Sequence, residues 1–183
     1  MGKIKLLLYC VKAKPYLVED TIQNHFWLSN KTMQKPVSLN GKIVAECDFE
    51  IEKIIKVFDG YSGTKTYYKE LEKQSCLTSE QLNNYLKGKN GYAIHIKNLT
   101  IFDKPRELNE FYNSKDYDKT WQPIIKAPQN MMYADYINIE KNIFIFKPYI
   151  LISIRPEWLV KILNGEKTIE VRKKVLKEMM QDG

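Results

Sequence analysis

The segment from Tyr149 to Arg172 constrains the fold more than any other part of the chain. A mostly apolar run, Tyr149–Ile154, leads to Pro156, which suits the first position of a helix because that position needs no amide donor. Asn164-Gly165 then marks a helix end, and Thr168–Arg172 alternates like a strand. The segment predicts a strand, a helix and a strand, and the rest of the chain has to cover its apolar helix face: Trp158, Leu159, Ile162 and Leu163.

Short strands and helices are predicted before this segment. Ile4–Val11 is typical of a buried strand, and Ile43–Phe49 alternates with its odd-numbered residues facing inward. Thr78 and Gln81 have the spacing of a capping box, which opens a helix to about Lys87. We expect roughly six short strands and three or four short helices in one α+β domain. Two short strands are predicted at residues 92–96 and 99–102, a turn at residues 59–63, and loops at residues 20–41 and 113–130.

Polar side chains gather on one face of the last predicted strand. Thr168, Glu170 and Arg172 alternate with Ile169 and Val171, so the two sets face opposite ways. Lys167 stands where the strand begins, and two cations, a carboxylate and a hydroxyl therefore meet within one strand length. Periodicity alone favours a solvated face with a Glu–Arg pair, and a binding or catalytic site is the alternative.

Composition limits the classes of function. There are 29 basic and 22 acidic residues, a net charge of +7, which suits a polyanionic partner such as nucleic acid. The 3 cysteines lack CxxC spacing and the 2 histidines lie far apart, so neither a disulfide scaffold nor a zinc site is expected. No compact Asp/Glu cluster predicts a metal site, and no cofactor is expected. Without a signal peptide or a long apolar run, we expect a cytoplasmic protein with no membrane association.

The sequence IRPEWLVKILNGEKTIEVR, at residues 154–172, resembles the signature of the ASCH domain, a family of PUA-like β-barrels. Weaker resemblances to the later parts of that domain precede it, at residues 7–10, 41–46, 76–82, 91–96, 102–108 and 127–133. In the family the signature comes first, whereas here it comes last. We therefore expect one circularly permuted ASCH domain over residues 1–183, a small barrel flanked by short helices. Residues 149–174 would supply the strand, helix and strand that normally come first in the barrel. The rival interpretation is one such domain followed by a truncated second copy.

The resemblance implies a ligand as well as a fold. PUA-like domains commonly bind RNA, and ASCH domains are regarded as binding nucleic acids or nucleotides. The implied site is a basic cleft beside the GEKTIEVR strand, in which lysines and arginines hold phosphate and a tyrosine stacks on a base. Carried over residue by residue, one wall of the cleft comprises Arg155, Lys167, Thr168, Glu170 and Arg172. The opposite wall comprises Tyr9, Lys12 and Lys14.

Two alternatives follow from the same resemblance. A bacterial branch of the family hydrolyses an acylated cytidine with a lysine, a threonine three residues later and a distant glutamate. Lys167 matches that lysine, but Glu170 stands at the threonine position, and Gln74 and Ser75 stand near the glutamate position. Lys167 and Glu170 are thus the candidate catalytic residues of an amidohydrolase, and ribonuclease activity is a further possibility. The other alternative is a phage counter-defence factor that binds a host protein.

Overall fold

The computed structural model describes residues 4–12, 39–54, 62–87, 89–113, 122–140 and 143–180. Within these ranges, seven strands and three α-helices give the α+β class that the sequence predicts. The elements are β1 Lys5–Cys10, β2 Ile43–Ile54, α1 Ser62–Ser75, α2 Ser79–Leu86, β3 Gly91–Arg106, β4 Phe111–Tyr112, β5 Met131–Glu140, β6 Ile143–Ile154, α3 Pro156–Leu163 and β7 Ile169–Arg172. Two short 3-10 turns cover Leu108–Glu110 and Lys177–Met180.

The strands form a mixed sheet in the order β4-β5-β6-β1-β2-β3-β7. β1 runs parallel to β6 and antiparallel to β2, while the pairs β4–β5, β5–β6 and β3–β7 are antiparallel. The chain divides into two compact units, which we describe separately. Unit 1 comprises residues 1–48 and 98–164, and unit 2 comprises residues 49–97 and 165–183. No helix in the described ranges has the length and apolar character needed to cross a membrane.

Unit 1 is built around β1, whose residues Leu6 to Cys10 are all buried. A strand buried on both faces is expected to be a continuous apolar run rather than an alternating one. One face joins a core cluster formed by Leu7, Tyr9, Ile43, Phe111, Ile124, Ala134, Tyr149 and Leu151. Helix α3 also packs against β1. Pro156 begins this helix and Gly165, at φ 76°, follows its end, as the sequence predicts.

A β-bulge interrupts the pairing of β1 with β2. Leu8 pairs with Ala45 whereas the next residue, Tyr9, pairs with Ile43, so Val44 is the extra residue. Bulges redirect side chains and are frequent near binding sites. Here the bulge directly precedes Tyr9 in the register, at the end of β1 that borders the cavity described below.

Unit 2 has its own core, in which α1 and α2 cover β7 and the first half of β3. Its buried residues are Ile54, Leu71, Leu82, Leu86, Ala93, Ile169 and Val171. The predicted capping box is confirmed, because Thr78 and Gln81 exchange both hydrogen bonds at the start of α2. The helix ends at Lys87, which takes the left-handed conformation at φ 51°. Gly91 begins β3 at a point where an added Cβ would lie 2.6 Å from Leu86.

Three elements differ from the predictions. The two short strands predicted around Asn98 are one 16-residue strand, β3, in which Asn98 adopts φ 48° and donates to Asp48 at 2.7 Å. Helix α1 begins at Ser62, inside the segment predicted as a turn. The strand predicted at residues 149–154 is the second half of the longer β6, and its partner β5 was not predicted.

Candidate functional site

Three charged side chains of the predicted site are linked through one carboxylate in unit 2. Glu170 lies 3.3 Å from the Lys167 ammonium through Oε2 and 2.9 Å from Arg172 Nε through Oε1. Lys167 is 2% exposed and Glu170 9% exposed, so this is a buried ion-pair cluster rather than a solvated strand face. Residues 167, 170 and 172 are therefore brought together as the sequence predicts, with their charges directed at one another.

Lys167 also caps a helix. Its ammonium donates to the carbonyl of Ser75, the last residue of α1, at 2.7 Å, and the amide of Thr168 donates to the carbonyl of Gln74 at 2.9 Å. Cys76 takes φ 56° directly after the helix, and its thiol donates to the carbonyl of Glu166 at 3.4 Å. The last carbonyls of a helix lack partners within it, and a cation there also complements the helix dipole. This capping role was not predicted because α1 was not predicted.

The protonation of Lys167 reflects two opposing influences. Burial lowers the pKa of this ammonium from its ordinary value, and the attraction of Glu170 raises it in part. An ammonium with a lowered pKa beside a carboxylate is chemically able to exchange a proton. The same group is almost completely covered, however, and its contacts to Ser75 and Glu170 would have to break before it could touch a ligand.

The remaining predicted residues differ in exposure. Arg155, at the N-cap of α3, and Thr168 are both exposed, and the Arg155 side chain makes no capping hydrogen bond. Tyr9 and Lys12 belong to unit 1, and Lys14 lies outside the described residues. The prediction that residues of unit 1 and unit 2 share one cleft stays a prediction.

A cavity of about 640 Å³ opens in unit 1. It is lined by two of the predicted residues, Tyr9 and Lys12, and by part of the segment 127–133, which resembles a later part of the family. The full lining is Tyr9, Val11, Lys12, Gly41, Glu107, Leu108, Asn109, Ile124, Ile125, Lys126, Ala127, Pro128, Gln129 and Ser153. Apart from Tyr9 and Lys12, these lining residues were not predicted as site residues.

Hydrogen bonds to neighbouring strands hold one wall of the cavity. Ser153 is buried and donates from its hydroxyl to the carbonyl of Pro128 at 2.6 Å and from its amide to Asn130 at 3.0 Å. The amide of Ile124 donates to the carbonyl of Phe111 at 2.8 Å. A segment without regular secondary structure is thereby fixed to β4 and β6, so this wall does not depend on a ligand for its shape.

The cavity lining carries a net positive charge. Lys12 and Lys126 contribute two cations, and the carboxylate of Glu107 is ion-paired with Lys42. Gly41, at φ 75°, passes so close to Lys12 that an added Cβ would lie 2.7 Å from the lysine Cε. Tyr9 is only 5% exposed, and its burial raises the pKa of the phenol. The cavity lining thus combines an aromatic ring with two lysines and one carboxylate, and that carboxylate is paired with Lys42.

No group of three or more His, Cys, Asp or Glu side chains in the described part of the chain is placed to hold a metal ion. Comparisons with protein-family models, curated proteins and solved structures found no match. The ASCH resemblance therefore stays a prediction, and the functional argument depends on the geometry of the two units.

Proposed function

We propose that this chain binds an RNA or a nucleotide without catalysing a reaction, and that the ligand occupies the unit 1 cavity. The observation that carries the proposal is the cavity itself, where Tyr9 and Lys12 meet the segment 127–129. Ligand-binding cavities of proteins commonly measure about 300–1,000 Å³. A cavity of about 640 Å³ therefore accommodates a nucleoside-sized group.

The chemistry of the lining favours a nucleotide over an apolar ligand. Lys12 and Lys126 supply charge for phosphate, and the mostly buried Tyr9 ring forms part of the wall that a base would contact. The net charge of +7 on the whole chain adds attraction toward a polyanion. In unit 2, Thr168 is the exposed residue of the predicted cleft wall, because Lys167 and Arg172 are engaged with Glu170.

We further propose that the fold is a permuted ASCH domain with a PUA-like barrel. The supporting feature is the parallel pairing of β1 with β6. Residues 7–10 of β1 resemble a later part of the family, and β6 ends where the signature segment begins, so the pairing brings these two parts together. Pro156 and Gly165 stand where that signature places the helix start and the turn. An experimental structure with a closed ring of strands would support this assignment, and an open sheet would contradict it.

Fluorescence anisotropy with short single-stranded RNA across a salt series tests the binding proposal. The test variant is Lys12→Ala/Lys126→Ala, and the control is Lys69→Ala/Lys73→Ala, which removes the same charge from exposed positions on α1. Each phosphate contact contributes about 0.7 to the salt slope for a single strand. We expect the slope to fall by roughly 1.4 in the test variant only. Equal losses in both variants, or no binding at low salt, would contradict the proposal.

One observation favours a second candidate function, hydrolysis of an acylated nucleoside. The Lys167 ammonium, with its pKa lowered by burial, lies next to Glu170 and against Ser75, the region of the family's distant glutamate. The assay is turnover of an acylated cytidine by the folded chain and by Lys167→Met. Turnover that disappears in a folded Lys167→Met protein would favour the hydrolase. Absence of turnover in the unmodified chain would exclude it for this substrate.

A further inference from the structure

Arg106, the last residue of β3, is held by two aromatic rings. Its guanidinium carbon lies 5.0 Å from the ring centroid of Phe102 and 4.7 Å from that of Tyr136. Tyr136 is itself packed against Phe111, which is almost fully buried, at a centroid distance of 5.6 Å. Such contacts restrict where a guanidinium can move, because the ring faces attract the cation.

The hydrogen-bonding capacity of Arg106 is not used within the described residues. No hydrogen bond or ion pair joins it to another of them; its interactions there are the two ring contacts and the electrostatic influence of its charge on the Tyr149 phenol. The neighbouring carboxylates have other partners: Glu107 is paired with Lys42, and Glu46 accepts from Lys5 and from Tyr149. A guanidinium carries five N–H donors in a planar fork, and the edges of that fork match the oxygens of a phosphate.

Arg106 shares neighbours with the cavity. Phe102 and Tyr136 pack against the core cluster that contains Tyr9 and Ile124, and both of these line the cavity. Glu107, the next residue along the chain, is part of the cavity wall. The rings that hold Arg106 and the lining of the cavity are thus joined through one core cluster, and the wall begins at the adjacent residue.

We propose that Arg106, held by Phe102 and Tyr136, is a phosphate-binding site for a ligand whose nucleoside part occupies the unit 1 cavity. The proposal rests on the proposed function, and it adds a residue that the sequence resemblance did not assign to the site. Arg106 contributes affinity for the phosphate because two parallel hydrogen bonds from its fork match two oxygens of one group. Lysine at this position keeps the charge but supplies no fork.

The test compares a nucleoside with its 5′-monophosphate by isothermal titration calorimetry. We expect the phosphate to strengthen binding to the unmodified chain by about ten- to a hundred-fold. Arg106→Ala should remove most of that gain and leave the part that Lys12 and Lys126 supply, Arg106→Lys should keep slightly more of it, and both should bind the nucleoside as before. The control is Lys104→Ala, an exposed cation two positions earlier on the same strand, which should keep the gain. A gain that survives undiminished in Arg106→Ala overturns the proposal while leaving nucleotide binding intact.

A second measurement separates failure of this site from failure of the proposed function. Inorganic phosphate, with chloride as the comparison anion because it has no pair of oxygens, is titrated into ¹⁵N-arginine-labelled protein while the Arg106 side-chain NMR signal is followed. We expect phosphate to shift that signal at millimolar concentration and chloride to shift it less. If the unmodified chain binds no nucleoside but phosphate still shifts the Arg106 signal, the cavity proposal alone is refuted. A signal that moves with neither anion would refute the Arg106 site.

Discussion

Glu170 is expected to contribute more to stability than either cation that it holds. Its carboxylate is the shared partner of Lys167 and Arg172, and its side chain is 12% exposed. In Glu170→Ala the two cations face each other without that carboxylate in a largely dehydrated place. Breaking a buried ion pair by removing one partner costs about 3–5 kcal/mol. We expect the free energy of unfolding to fall by an amount in this range.

Removing Lys167 should cost less, because Glu170 keeps Arg172 as a partner. In Lys167→Met the main loss is the donor to the Ser75 carbonyl, and an unsatisfied buried acceptor costs about 1–3 kcal/mol. The double variant Lys167→Met/Glu170→Ala should be less destabilised than the sum of the single variants, since it contains no Lys167 charge to leave unpaired. Urea unfolding followed by circular dichroism measures all three values at pH 7.

The pH dependence gives an independent check. The pKa of Lys167 is lowered by burial from 10.5, so between the folded and unfolded values the unfolded chain binds more protons and stability rises with pH. Glu170 raises this pKa in the unmodified chain, and its removal lowers the pKa further. The cost of Glu170→Ala should therefore shrink as the pH is raised toward 10. If Glu170→Ala lowers the free energy of unfolding by less than about 1 kcal/mol at pH 7, or by the same amount at pH 7 as near pH 10, the buried-pair argument is refuted.

Three further predictions concern packing and chemistry. Burial raises the pKa of the Cys10 and Cys47 thiols to about 12, so Ellman's reagent should label only Cys76 rapidly in the folded protein and all three cysteines in guanidinium. Leu151→Ala, at a fully buried position of the unit 1 core, should reduce the free energy of unfolding by about 2–5 kcal/mol in urea titrations. Thr78→Ala removes one half of the capping box and should cost about 1 kcal/mol in the same assay, while Thr78→Ser should restore it.

Local sequence signals predicted the parts of the fold that depend on local chemistry. The capping box at Thr78, the proline at the start of α3 and the alternation in Ile43–Phe49 each act within a few residues, and each is present in the structure. Helix α1 carries no such signal: its N-terminal turn has no acidic residue, and among its described side chains only Leu71 and Ser75 are buried. Most helical stability in proteins comes from packing, which a local pattern does not report.

The candidate site was predictable in its residue types and not in its environment. Alternation placed Glu170 and Arg172 on one strand face, and the structure pairs them there. The burial of Lys167 depends on Ser75, a residue of a helix that is distant in the sequence. Arg106 was likewise unrecognised, because its partner ring Tyr136 lies on β5, a strand that the sequence analysis did not predict.

The parallel pairing of β1 with β6 also determines when this chain can fold during its synthesis. Lys5 pairs with Tyr149 and Cys10 with Ile154, so one side of β1 has no sheet partner until residues 149–154 have left the ribosome. Pairings of such large sequence separation form slowly, because a long loop has to be closed first. The edge of β1 that pairs with β6 lacks this partner while the intervening residues are translated. Unit 1 therefore completes its core only after residues 149–154 have been translated.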